Sequence, residues 1–169
     1  MPLKLVLLTY ESHPANFIIQ RLLTERPGLI CGIIRSETIV AGKTAWGSVR
    51  YLVRATAPGF VLWKGTEVLL SRAIWTLLRV TRRRPAVPSL RAMAAEFHVP
   101  LIGTENVNAP EIVGTVEAWH PDLIVSVYLN QRIGAAMRNL PTAGGINVHG
   151  ALLPANRGLF PYFWELANG

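Results

Sequence analysis

The sequence lacks what several common chemistries require. It has a single cysteine, Cys31, so an intrachain disulfide is impossible and a Cys-rich zinc site is excluded. Cys31 lies in the apolar run Leu29-Ile30-Cys31-Gly32-Ile33-Ile34, which reads as the setting of a buried small hydrophobe rather than a nucleophile. No G-x-G-x-x-G follows the first apolar run, where the turn is Thr9-Tyr10-Glu11-Ser12-His13, and no P-loop occurs anywhere. The close backbone approach to a pyrophosphate is therefore missing, and a nucleotide-binding dehydrogenase is a poor reading. No stretch of about 20 residues is free of charged side chains, which disfavours a spanning helix. Met1 to Leu8 is apolar for too short a stretch to be a signal peptide, and no small-residue cleavage site follows, so the cytoplasm is the expected compartment.

What is present supports one globular domain. The chain has 169 residues, half of them apolar and 16% charged, enough for a sizeable core and against general disorder. The formal charge of +7 is unevenly spread. Residues 43 to 91 hold ten Lys or Arg and one acid, Glu67, a local net of +9, so the rest of the chain nets −2. A uniformly basic nucleic-acid binder is disfavoured, and nucleic acid is an unlikely partner on this pattern.

Leu3 to Thr9 reads as a strand buried on both faces. A helical pattern follows, with Phe17, Ile18, Leu22 and Leu23 on one side, stopped by Pro27-Gly28; Leu29 to Arg35 is a second strand. The alternation resumes after residue 88. Ser89 caps a helix through Phe97, Val99 to Gly103 is a strand, and Pro110 opens a helix that runs through Trp119. Leu123 to Val127 is a third buried strand, 132 to 139 a short helix and Gly145 to Val148 another strand. This βαβ alternation predicts an α/β fold with an open, mostly parallel, Rossmann-like sheet. Between the halves, Phe60 to Val80 reads as an amphipathic helix ending in Arg82-Arg83-Arg84.

The chemistry concentrates near the end, in Gly145-Ile146-Asn147-Val148-His149-Gly150-Ala151-Leu152-Leu153-Pro154-Ala155-Asn156-Arg157-Gly158. Asn147 and His149 are two apart as a strand runs out, so both project to one side at the carboxyl end of the sheet, where such folds place ligands. A carboxamide beside an imidazole can stabilise a developing oxyanion and move a proton. Asn-x-His by itself fits a satisfied loop histidine equally well.

The longer stretch resembles the signature of the 10-formyltetrahydrofolate-dependent formyltransferases, Asn-x-His-x-Ser-Leu-Leu-Pro followed by Arg/Lys-Gly. Every element is present except the serine, which is Ala151. Pro121-Asp122-Leu123-Ile124-Val125 with the loop Tyr128-Leu129-Asn130-Gln131 is similar to the family's folate-binding loop. The likeness is loose over residues 1 to 40 and good over 88 to 169. It implies transfer of a formyl group from 10-formyltetrahydrofolate to an amine. Asn147 and protonated His149 are then catalytic and hold the tetrahedral oxyanion, with His149 aiding proton transfer. Backbone groups of Leu129, Asn130, Gln131 and Arg132, with Ala151, Leu152, Leu153 and Pro154, are implied to hold the pterin end of the donor. Alanine at 151 removes a side-chain hydrogen bond and leaves a backbone role open.

The family also has a catalytic aspartate after the histidine. The only aspartate here is Asp122, which precedes the histidine and reads as structural. Residues 1–169 are accordingly expected to be the N-terminal part of a formyltransferase-like domain, C-terminally incomplete before that aspartate. The alternatives are a catalytically incomplete folate- or partner-binding module, or a fragment of a methionyl-tRNA formyltransferase-like enzyme. Phe163-Trp164 resembles sugar-nucleotide and other small-amine formyltransferases more than the initiator-tRNA enzyme, which points to a small-molecule amine acceptor; the same aromatics also fit as core.

Residues 43–87 are foreign to the best-known members and read as a basic helical insertion that does no chemistry. Three roles fit it: cover for the protein's own sheet, the ordinary fate of an amphipathic helix; contact with an anionic membrane surface; or contact with an RNA backbone. The wide apolar side with Trp63 and Trp75 favours membrane over RNA, so a membrane-peripheral location is an expectation beside the cytoplasmic one.

Overall fold

The structure, a computed structural model, describes residues 3–40, 42–56, 58–80 and 85–153. Leu5–Tyr10 form β1, in which Leu5, Val6, Leu7 and Leu8 are all buried, as an apolar run covered on both faces requires. The first helix, α1 (His13–Glu25), begins earlier than its apolar spacing suggests. Ser12 caps it, accepting from the Ala15 amide at 3.4 Å, and Pro14 is tolerated in the first turn, where its missing N–H has no intrahelical partner to lose. Gly28, at φ +82°, turns the chain into β2 (Ile30–Ser36).

Two helices occupy the insertion. The pattern expected α3 (Pro58–Val80) but left out α2 (Ala45–Ala55), whose N-terminus Thr44 caps by accepting from the Gly47 amide at 3.1 Å. Beyond it, α4 (Leu90–Glu96) is capped by Ser89 as expected, and β3 (Leu101–Thr104), α5 (Pro110–Ala118), β4 (Leu123–Val127), α6 (Ala135–Arg138) and β5 (Gly145–Val148) follow.

The five strands pair in the order β3-β2-β1-β4-β5, and every pair is parallel. Strand alternation divides the core in two. Leu5, Leu7, Ile33, Val125 and Val127 pack under α1 and α4 with Ile19, Leu23, Leu90 and Met93. On the other face Val6, Leu8, Ile34 and Ile124 meet Val107, Ile112, Val116 and Met137 from the α5–α6 side. The chain adds β2 and β3 on one side of β1, then returns to add β4 and β5 on the other. The carboxyl ends of β1 and β4 therefore flank a topological switch point.

Two expectations are corrected. The insertion does not cover the sheet with its apolar side: Leu62, Leu69, Leu70, Ile74 and Val80 of α3 are exposed, and the helix packs chiefly on α2. Cys31 is half-buried rather than buried, because it sits where β2 passes the amino end of β1, with Sγ 3.4 Å from the Leu5 carbonyl. Burial still pushes its thiol up, which disfavours the thiolate.

A close approach fixes how α5 lies on the sheet. Any Cβ at Gly32 would overlap the ring of Trp119, the residue that ends α5. Gly32→Ala is expected to destabilise the protein by about 1–3 kcal/mol, read as a lower Tm in thermal unfolding. Trp119→Leu in the same chain should recover part of that loss. An unchanged Tm for Gly32→Ala alone would refute the packing.

Candidate functional site

The carboxyl ends of β1, β4 and β5 are locked together before any functional group is placed. The Thr9 hydroxyl, fully buried, donates to the Val127 carbonyl at 2.8 Å across the switch point. The Tyr128 amide donates to the Val148 carbonyl at 3.2 Å, which carries the β4–β5 pairing one step past β4. Tyr128 itself has φ +51°, a left-handed conformation that turns the chain sharply out of the strand and costs a non-glycine residue roughly 1 kcal/mol.

Asn147 lies in β5 in register with Ser126 of β4. The Ser126 hydroxyl donates to Asn147 Oδ1 at 2.7 Å. That bond turns Oδ1 toward Ser126 and the carboxamide's N–H groups the other way. The two residues, with Ile133 and Arg138, line a cavity of about 200 Å³ on the α5–α6 side of the sheet. The sequence reading passed over Ser126, although a lone hydroxyl in the run Leu123-Ile124-Val125-Ser126-Val127 was a legible signal: a buried hydroxyl needs a partner.

His149 follows β5 and is half-buried. Its Nδ1 lies 3.1 Å from the Ala151 carbonyl and 3.3 Å from the Ala151 amide. One residue's backbone thus serves the ring in either state: the amide donates to a bare Nδ1, and a protonated Nδ1 donates to the carbonyl. The other nitrogen, Nε2, makes no bond to a described residue. Alanine at 151 therefore meets the His149 ring through its main chain.

The loop after β4 is held by its own side chains. Asn130 donates through Nδ2 to the carbonyls of Thr38 and Ile39, the latter at 3.2 Å. Gln131 donates to Ser36 Oγ at 2.8 Å and the Glu105 carbonyl at 3.1 Å, and it accepts from the Val107 amide at 3.1 Å. Asn108 donates to the Arg132 carbonyl at 2.8 Å and accepts from the Gly134 amide at 2.6 Å. The Gln131 carboxamide is thus committed to the fold, as are the Asn130 amide group and the Arg132 carbonyl. The buried Asn130 Oδ1 has no hydrogen-bond partner among the described residues. Leu129 packs on the α5–α6 core, while Leu152 and Leu153 are exposed. Pro154, Arg157-Gly158 and Phe163-Trp164 lie outside the described residues.

Asp122 sits at the opposite end of β4. Its carboxylate accepts from the Lys4 amide at 2.8 Å and the Thr142 hydroxyl at 3.2 Å, tying the amino ends of β1 and β4. It is a structural residue, as its position before a buried strand implies.

Residues 76–169 match the Formyl transferase family. Methionyl-tRNA formyltransferase of Geobacter metallireducens is 38% identical over 82 residues, 48% of this chain and 26% of the relative. The enzyme of that name from Ruminiclostridium cellulolyticum is 33% identical over 87 residues, 52% of this chain and 28% of the relative. The chain thus spans little more than a quarter of the length of these curated relatives. Glycinamide ribonucleotide transformylase 1 from Geobacillus kaustophilus is similar in structure, with a TM-score of 0.55 at 14% identity over 100% of this chain and 69% of that one. Phosphoribosylglycinamide formyltransferase from Streptococcus pneumoniae TIGR4 gives 0.54 at 13% identity over 100% and 68%. At such identities the likeness is one of fold.

Removing the Gln131 carboxamide leaves the fully buried Val107 amide without its acceptor. Gln131→Leu is expected to destabilise by about 1–3 kcal/mol. It should lower the urea midpoint at unchanged slope. A parental midpoint would show that water replaces the carboxamide freely and that the loop does not depend on it.

Proposed function

The chain belongs to the formyl transferase family, and from that premise we propose that it transfers a formyl group from 10-formyltetrahydrofolate to an amine of a small acceptor such as an amino sugar nucleotide. What supports the reading is that Asn147, its amide turned by Ser126, and His149, its ring held by Ala151, stand two residues apart where β5 ends. The donor supplies the formyl carbon that the amine attacks; the bond from that carbon to the folate nitrogen breaks, and tetrahydrofolate leaves with the proton that the amine gives up. Asn147 presents N–H donors to the oxygen that gains negative charge, and preorganised donors of this kind are usually the largest catalytic contribution. His149 moves the proton through Nε2 while its protonated Nδ1 keeps donating to the Ala151 carbonyl.

The loop after β4 fits a folate. Its side chains are spent on holding its shape, which leaves the main chain of Leu129 and Asn130 to face the ligand, and the buried Asn130 Oδ1 is an acceptor that a pterin N–H can satisfy. Ala151 to Leu153 are the second set of main-chain groups for the same end of the donor, with Pro154 continuing them.

A second reading has one specific observation in its favour. The only aspartate of the sequence is engaged at the amino end of β4, so it does not fill the acidic role beside the histidine. A module that binds folate without turning it over accommodates that fact.

Incubation of the intact protein with 10-formyltetrahydrofolate and a panel of an amino sugar nucleotide, glycinamide ribonucleotide and initiator methionyl-tRNA distinguishes these readings. The small amino sugar is expected to be formylated, and Asn147→Ala and His149→Ala should each lower the rate by about 10²–10³-fold. Faster formylation of the tRNA would reverse the choice of acceptor. Calorimetric folate binding with no formylation of any amine would establish the binding module instead.

A further inference from the structure

We propose that the α2–α3 insertion docks the protein onto an anionic lipid bilayer, its apolar stripes at the acyl boundary and its arginines among the headgroups. The first observation is the pattern on α3. At 100° per residue, Leu62, Leu69, Leu70, Ile74 and Val80 fall within an arc of roughly 140°. That is the stripe a globular protein buries, yet these residues are 71%, 65%, 63%, 56% and 74% exposed. The contacts of the helix come from elsewhere on its surface, where Val61 and Leu78 are half-buried.

The second observation repeats this on α2. Its inner side is used by the fold: Ser48 is buried and accepts from the Val40 amide at 3.2 Å. Its other side carries Trp46, Val49 and Val53 at helical spacing, and all three are exposed. Arg50 and Arg54 are exposed beside that stripe, and exposed Arg72 lies on α3. Lys43 stands over the Tyr51 ring, 5.2 Å from its centroid.

Charge selects the occupant. Residues 43–80 hold six Lys or Arg against one acid, Glu67, a net of +5, so self-association on this face is opposed by like-charge repulsion. An RNA backbone would satisfy the arginines and leave the leucines in water. An anionic bilayer answers both, because its interface accepts apolar side chains and its headgroups attract the cations. No helix among the described residues is long and apolar enough to cross a membrane, so the contact is with the surface. The entry to the insertion is tied to the site, since Thr38 and Ile39 accept the bonds of Asn130. Docking therefore holds the carboxyl edge of the sheet beside the lipid. The inference stands apart from the formyl-transfer reading, for lipid binding requires no turnover.

Co-sedimentation of the intact protein with vesicles of equimolar phosphatidylglycerol and phosphatidylcholine, against pure phosphatidylcholine, tests it. Pelleting is expected with the anionic vesicles only and should weaken with salt. Two triple variants, Leu62→Glu with Leu69→Glu and Ile74→Glu, and Arg50→Glu with Arg54→Glu and Arg72→Glu, should each lower the partition constant by more than about tenfold. All six positions are exposed, so the parental circular dichroism is expected in both. No pelleting of the parent, equal pelleting of all three proteins, or equal binding to neutral vesicles would overturn the proposal. So would a lipid-free dimer that the leucine variant dissociates, which would assign the face to a second copy.

Discussion

β1 is paired on both edges and covered on both faces, and the site is a consequence of that arrangement. Leu5, Val6, Leu7 and Leu8 supply apolar side chains alternately to the two cores, so helices must be laid on each side of the sheet. A right-handed crossover to β2 and β3 uses one direction, and the return to β4 uses the other. The connections leaving β1 and β4 then diverge to opposite faces, and a crevice opens at their carboxyl ends. The bond from Thr9 to Val127 closes the floor of this crevice. Asn147 lines a cavity with Ser126 because β5 pairs with β4 in a register that sets the two residues opposite each other.

The second layer of organisation is polar. Three carboxamides, those of Asn108, Asn130 and Gln131, join the exits of β2, β3 and β4, segments far apart in the sequence. Such a network holds a loop in one shape, and at its buried partners, Ser36 and Val107, a lost bond would leave a buried group unpaired. The loop after β4 thereby keeps its shape, and no bond within the described residues is spent on the main chain of Asn130 by this network. Rigidity at the carboxyl edge and availability of the backbone come from the same residues.

The insertion has a different physical character. The sheet body buries most of its apolar side chains, whereas α2 and α3 leave many of theirs in solvent. A helix with that much exposed apolar surface draws little stability from tertiary packing, the main source for helices in water. Its persistence is intelligible if another phase receives the exposed stripe. The polar tether from Asn130 to Thr38 and Ile39 couples that surface to the loop next to the site.

By itself the sequence determined the class of fold, the succession of strands and helices in both halves, and the Asn147–His149 pair with its family signature. These were legible because periodicity, caps such as Ser89 and motif spacing are local properties of the chain. Several things it left open or misplaced. Ser12 began α1 earlier than the apolar spacing did, and α2 carried too few apolar residues facing the body to stand out. The backbone of Asn130 and Gln131 reads as ligand-binding, and what their side chains do for the fold was not legible. The amphipathic helix looked like cover for the sheet and lies exposed. The tertiary structure decided the strand order, the turn of the Asn147 amide by Ser126 and the grip of Ala151 on His149. Each depends on which groups from distant segments meet, and pairing across the sheet, unlike periodicity along it, is written in no single stretch of the chain.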